Sequence, residues 1–195
     1  MKKVFVLLIA ILIQTLNINA DESNEIKRIT VGNKDAKITI LVYESLTCSH
    51  CADFHKNVYP DLKKEFIDKG IVKIEFRNFP LDIAALNGSK IAHCKNDGKS
   101  NILHFLFNNQ NIWVKGETVD ELNLNLEKIV NKENFGINVK KCLNNKKVED
   151  HILEDRIDAV KKFKVNSTPT IIINDKKFEK PLNYKNLKKS IEKLI

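Results

Sequence analysis

The chain of 195 residues has no internal repeat and no long low-complexity linker, which excludes solenoids and repeat arrays. No basic stripe is interleaved with aromatics. The formal charge of +8 is instead spread over many lysine- and asparagine-rich stretches. That pattern reads as a solvated basic surface and argues against a nucleic-acid site. No apolar run is long enough to cross a bilayer comfortably. The most prominent, Val4 to Ile13, follows Lys2 and Lys3 and is followed by Ala20 and an acidic, polar stretch. A basic start, a short apolar centre and a polar exit describe a secretory signal peptide over residues 1–20. Ile18 is bulkier than the small residue usual three before a cut, which keeps an uncleaved anchor open as an alternative. No cysteine follows Ala20, so a lipid-modified N-terminus is not expected. The mature chain then begins near Asp21, in an oxidising space where disulfides persist.

Cysteine is scarce: there are four. Cys48 and Cys51 stand three apart, directly after the apolar run Ile38 to Tyr43 and directly before a helical pattern. A helix starting there places both sulfurs on one face at one end. The first then sits where unpaired backbone N–H groups and the helix dipole favour a thiolate. The second, one turn inside, can attack a mixed disulfide formed on the first. His50 lies between them and, protonated, would stabilise the Cys48 thiolate; the alternative is an exposed turn residue. Zinc is the rival use of such a pair. It needs two further ligands, and Cys94 and Cys142 are isolated rather than a second close pair. In an oxidising compartment Cys94 and Cys142 are expected to bond to each other, with two buried free thiols the alternative. His55, His93, His104 and His151 are scattered and read as ordinary surface or core residues.

Ile38 to Tyr43 is continuous rather than alternating and predicts a strand covered on both faces. Cys51, Phe54, Val58, Leu62 and Phe66 predict a helix that Pro60 kinks or splits. Gly70 suits its end, and Ile71 to Phe76 forms a second strand, giving a βαβ unit. Ile29 and Val31 suit a short edge strand. From Leu81 to Phe163 the pattern is helical, with Gly88 a weak point in the first helix. Thr170 to Asn174 returns to strand, a short partner lies near Phe178, and Tyr184 to Leu194 closes as an amphipathic helix. The expected fold is a small α/β domain over residues 21–80 and 164–195, interrupted by an inserted helical domain over 81–163.

Three stretches carry a resemblance: YESLTCSHCADFH around Cys48, FRNFPLD from Phe76 to Asp82, and VNSTPTIIIN from Val165. Together they resemble the DsbA-like periplasmic disulfide oxidoreductases of the thioredoxin superfamily, from about Ile29 to the C-terminus. The resemblance implies a thioredoxin-like fold, with Cys48 as nucleophile and Cys51 as resolving thiol. It also implies a cis Thr168–Pro169 bond beside them, where the Thr168 backbone pairs with a substrate strand. Two positions depart from the family. Ser49 stands where proline is frequent. Val42 stands where many relatives carry a buried acid that accepts the proton of the resolving thiol. Glu44 lies on the same strand face and could replace it.

The expected activity is thiol–disulfide exchange that introduces disulfides into unfolded, cysteine-containing exported proteins in the periplasm. No cofactor or metal is needed, and a membrane quinone-linked thiol oxidase, as the family implies, restores the bond. An isomerase or reductase is the enzymatic rival. Asp21 to Ile29 is too short for the N-terminal dimerisation domain of the related isomerases, and Thr47 replaces the tryptophan usual in reductive types. A peptide-binding chaperone with a silent cysteine pair is the non-enzymatic rival.

Overall fold

The computed structural model describes residues 25–195, and the expected signal peptide lies outside the described residues. Five strands form one sheet in the order β1-β3-β2-β4-β5. β2 (Ile38–Glu44) and β3 (Val72–Asn78) run parallel at its centre, with Ile40 opposite Ile74 and Glu44 opposite Asn78. β1 (Ile29–Val31) flanks β3 antiparallel. β4 (Thr170–Ile173) pairs antiparallel with β2, and β5 (Lys176–Lys177) closes the edge.

The crossover from β2 to β3 is helical and broken. α1 (Ser49–Asn57) stops at Val58, and α2 (Tyr59–Leu62) restarts with Pro60 in its first turn. Proline is tolerated there because that N–H has no intrahelical partner. A π-helical turn, Lys63–Ile67, follows before Gly70 turns the chain with a φ of 72°. The apolar spacing across Pro60 therefore belongs to separate helical pieces that bury one common face.

Six helices lie between β3 and β4 in chain order: α3 (Ile83–Ala92), α4 (Asn101–Asn108), α5 (Gln110–Trp113), α6 (Val119–Glu133), α7 (Val139–Leu143) and α8 (Lys146–Phe163). α9 (Tyr184–Glu192) follows β5. Local chemistry starts several of them. Asp82 caps α3 by accepting from the Ala85 N–H at 2.7 Å, and Thr118 with Glu121 forms a reciprocal capping box on α6.

Strand alternation sorts the core onto two faces. Ile38, Ile40, Val42, Val72, Ile74, Phe76, Ile171 and Ile173 join one cluster with α1, α2 and α9. Ile102, Leu106, Trp113 and Leu126 from α4 to α6 belong to that same cluster, so these helices share the sheet's core. Tyr43 and Ile172 face the other way and pack with Ala159 and Phe163 of α8. The stretch 81–163, expected as one inserted unit, thus divides in its packing: α8 covers the second face of the sheet. Within the helical pattern from Leu81 to Phe163, Ile83, Ile157 and Val160 are solvent-exposed. Apolar spacing identified their helices but not the face they present.

Candidate active site

β2 delivers the chain to Glu44, and a three-residue loop leads to Cys48, which N-caps α1. The loop is held from both sides of the fold. Thr47 Oγ1 donates to Asp82 Oδ2 at 2.7 Å, and the Leu81 N–H donates to Ser45 Oγ at 3.2 Å. Gln110 Nε2 donates to the carbonyl oxygens of Leu46 at 2.9 Å and Cys48 at 3.0 Å. The first turn of α1 closes with the N–H groups of Cys51 and Ala52 on the Cys48 carbonyl.

Both cysteines of the pair are free thiols; Cys48 is partly exposed and Cys51 fully buried. The Cys48 thiol donates to the Thr168 carbonyl oxygen at 3.4 Å, across the Thr168–Pro169 bond, which is cis. The Thr168 hydroxyl is buried without a hydrogen-bond partner. Once Cys48 ionises, that hydroxyl can donate to the sulfur. A groove of about 550 Å³ runs past this point, lined by His50, Phe54, Thr168, Pro169 and Tyr184 among others.

The electrostatics divide the two sulfurs. The Cys51 thiol lowers the Cys48 pKa most, against the cost of partial burial; the Thr168 side chain and the N–H groups of Cys51 and His50 add to it. The result is about 5, against 9.0 for an unperturbed thiol. His50 thus contributes its backbone N–H, while its ring is exposed at the groove. Burial pushes the Cys51 thiol far the other way, aided by the Cys48 sulfur and by the charge of Glu44. One sulfur is therefore a thiolate at neutral pH and the other keeps its proton.

Val42 is buried in the core on the same strand face as Glu44. Glu44 is 5% exposed, and burial together with the Cys48 charge raises its pKa well above the usual carboxylate range. Its Oε2 lies 2.8 Å from His55 Nε2, while Oε1 is buried without a partner. His55 Nδ1 in turn lies 2.9 Å from His104 Nδ1. Burial lowers both rings to about 3 and keeps them neutral. Scattered along the sequence, these two histidines look ordinary, but the fold brings them together. A signal for His55 existed: it stands four residues after Cys51 and shares its helix face. Nothing local pointed to His104.

Cys94, just past α3, is bonded to Cys142 in α7, with Cα atoms 5.3 Å apart. Among the described residues, no three His, Cys, Asp or Glu side chains are grouped to hold a metal ion. Nor is any helix among them long and apolar enough to cross a membrane.

Residues 24–193 match the profile of the family described as Thioredoxin. The chain belongs to that family, and its sheet, cysteine pair and cis-proline strand start are arranged accordingly. Within it the chain is DsbA-like. The crystal structure of Wolbachia pipientis alpha-DsbA1 is 31% identical, with a TM-score of 0.76 over 86% of this chain and 90% of that one. BdbD from Bacillus subtilis, in its oxidised form, is 26% identical, with a TM-score of 0.70 over 85% and 91%. Disulfide bond formation protein D of Bacillus subtilis is 28% identical over 172 residues, 84% of this chain and 75% of the relative. A putative protein-disulfide oxidoreductase of Rickettsia bellii is 30% identical over 148 residues, 74% of this chain. The chain spans only 56% of that relative's length.

Proposed function

We propose that this protein is an extracytoplasmic thiol:disulfide oxidoreductase that works mainly as an oxidase. Cys48 is the nucleophile, Cys51 the resolving thiol, and Thr168 with Pro169 the edge that seats a substrate strand. The observation that carries this reading is the split between the sulfurs: an accessible Cys48 with a pKa of about 5 beside a buried Cys51 pushed far up.

In the oxidising direction, a substrate thiolate attacks Cys48 of the Cys48–Cys51 disulfide. The bond to Cys51 breaks, Cys51 takes up a proton, and substrate and Cys48 share a mixed disulfide. A second substrate thiolate then attacks its partner sulfur and expels Cys48 as a thiolate. The substrate is oxidised by two electrons and the enzyme is reduced. A stable Cys48 thiolate makes it a good leaving group and stabilises the reduced enzyme, which raises the potential; 30 mV corresponds to about 1.4 kcal/mol. Unfolded exported proteins with cysteines are the substrates, and a membrane quinone-linked thiol oxidase is the reoxidant in this reading. The leader-like stretch Lys2 to Ala20 supports export to the periplasm.

The test offers oxidised protein a reduced multi-cysteine substrate and, separately, offers reduced protein a scrambled one. Rapid oxidation with slow unscrambling is expected. Efficient unscrambling with poor oxidation would reverse the direction assigned, and no exchange at Cys48 would remove the enzyme reading.

A further inference from the structure

Cys51 must lose a proton whenever the disulfide forms and regain one whenever it opens, yet it is fully buried. We propose that His55 and His104 carry that proton between Glu44 and the rim of the core, so that the resolving thiol is served by a built-in wire. This rests on the exchange reading above and deepens it.

The geometry is a line of three groups. Glu44 Oε2 meets His55 Nε2 at 2.8 Å, and His55 Nδ1 meets His104 Nδ1 at 2.9 Å. Both ends are unpaired: Glu44 Oε1 and His104 Nε2 are buried without a protein partner. A purely structural buried carboxylate would be expected to satisfy both of its oxygens. The line is sheathed in rings. Phe107 stacks on His55 with centroids 4.1 Å apart, Phe76 lies 5.2 Å from it, and Tyr59 stacks on His104 at 4.5 Å. His55 is buried, whereas His104 is partly exposed and so marks the outer end. Cys48 and Cys51 of α1 face the inner end; Tyr59 of α2 and Lys63 of the π-turn face the outer one.

The proton count closes. Burial first, and the charge of the Cys48 thiolate second, hold a proton on Glu44. A mixed disulfide on Cys48 removes that charge. Glu44 then passes its Oε2 proton to His55 Nε2, His55 passes its Nδ1 proton to His104 Nδ1, and His104 gives one up from Nε2 to solvent water reaching the rim, since no protein group accepts it there. The freed carboxylate, whose charge reaches Cys51 although no hydrogen bond joins the two, then takes up the Cys51 proton at Oε1. The Cys51 thiolate attacks Cys48, the Cys48–Cys51 bond forms, and the partner leaves as a thiolate. Afterwards each ring carries its proton on the opposite nitrogen. Opening the disulfide returns a proton to Cys51 along the same line and restores both tautomers. The wire therefore needs no ring rotation, because each cycle runs it once outward and once inward. Burial keeps both rings neutral, so neither traps the proton.

The test isolates the Cys51 step. Cys48 is loaded as a mixed disulfide with a coloured aromatic thiol, and release of that thiol is followed across pH in wild-type, His55→Asn and His104→Asn protein. Alkylation of Cys48 in a Cys51→Ser background reads the other sulfur. Each histidine variant is expected to slow release at neutral pH about tenfold or more, as loss of a proton-transfer group does. Its rate should then rise with hydroxide concentration, while the Cys48 alkylation midpoint stays in place. In a His104→Ala variant, added imidazole should restore release. Release at the wild-type rate in the variants, or a slowing matched by an equal change at Cys48 or unmoved by imidazole, would overturn the wire. Wild-type protein unable to resolve the mixed disulfide at all would overturn the exchange reading with it.

Discussion

Gln110 of α5 donates to the carbonyl oxygen of Cys48 at 3.0 Å, tying the helical segment to the N-terminus of the redox helix across 62 residues of chain. The same amide holds the Leu46 carbonyl at 2.9 Å. Replacing Gln110 by Leu leaves both oxygens without this donor. A loss of about 1–2 kcal/mol is expected from unmade partly buried hydrogen bonds. Because the first turn of α1 is then less fixed, the Cys48 pKa should rise. Denaturant unfolding and the pH dependence of Cys48 alkylation check the two halves.

The Cys94–Cys142 bond closes a loop with a sequence separation of 48 residues. In the chain-entropy description such a loop is worth about 4 kcal/mol, and measured values often fall below it. A Cys94→Ala/Cys142→Ala variant should lose a few kcal/mol of stability in denaturant while its Cys48 pKa stays near that of the parent. A large Cys48 shift with unchanged stability would show that this bond acts on the site instead of on the fold.

Gly88 looks like a weak point in a helix, but it is a contact surface. A Cβ there would stand 3.1 Å from Leu46 Cδ1 and 3.3 Å from the Trp113 ring, both nearly fully buried. Gly88→Ala gains up to about 1 kcal/mol of helix propensity. Overpacking costs about 1–3 kcal/mol. A net loss of stability is therefore expected, and because Leu46 lies two residues before Cys48, slower Cys48 alkylation should accompany it. A stabilised variant would show that Leu46 and Trp113 yield easily.

Acid should unfold the protein through its histidines as well as its carboxylates. Burial lowers His55 and His104 to about 3 and His93 to about 4, from 6.5. Each pKa is lower folded than unfolded, so the unfolded state binds more protons below about pH 6.5. The stability tied to keeping these rings neutral is present above that pH and is lost as pH falls towards about 3–4. Denaturant midpoints taken downward from neutral pH should fall, and His93→Gln should flatten part of the slope. A midpoint flat down to about pH 4 would contradict the buried neutral rings.

Much of the fold was written in short-range patterns. Ile38 to Tyr43 and Ile71 to Phe76 are continuous β-forming runs around a helical crossover, and they pair in parallel. The Cys48–Cys51 spacing located the site because both residues sit on one helical turn. What escaped depends on chain segments far apart in sequence. Glu44, His55 and His104 meet only after β2, α1 and α4 have packed, and the last step spans 49 residues. Gln110 and Gly88 act through the loop before Cys48 for the same reason. Ile157 and Val160 show the converse: both are apolar residues of the helical stretch that ends at Phe163, but packing on the sheet left them outside.

Thiolate absorbance of Cys48 as a function of pH, in reduced protein and with a Cys48→Ser control, tests the central claim most directly. The account places the midpoint near 5, with Cys51 silent over the same range. A midpoint above about 8, close to that of a free thiol, would contradict the assignment of Cys48 as an activated nucleophile.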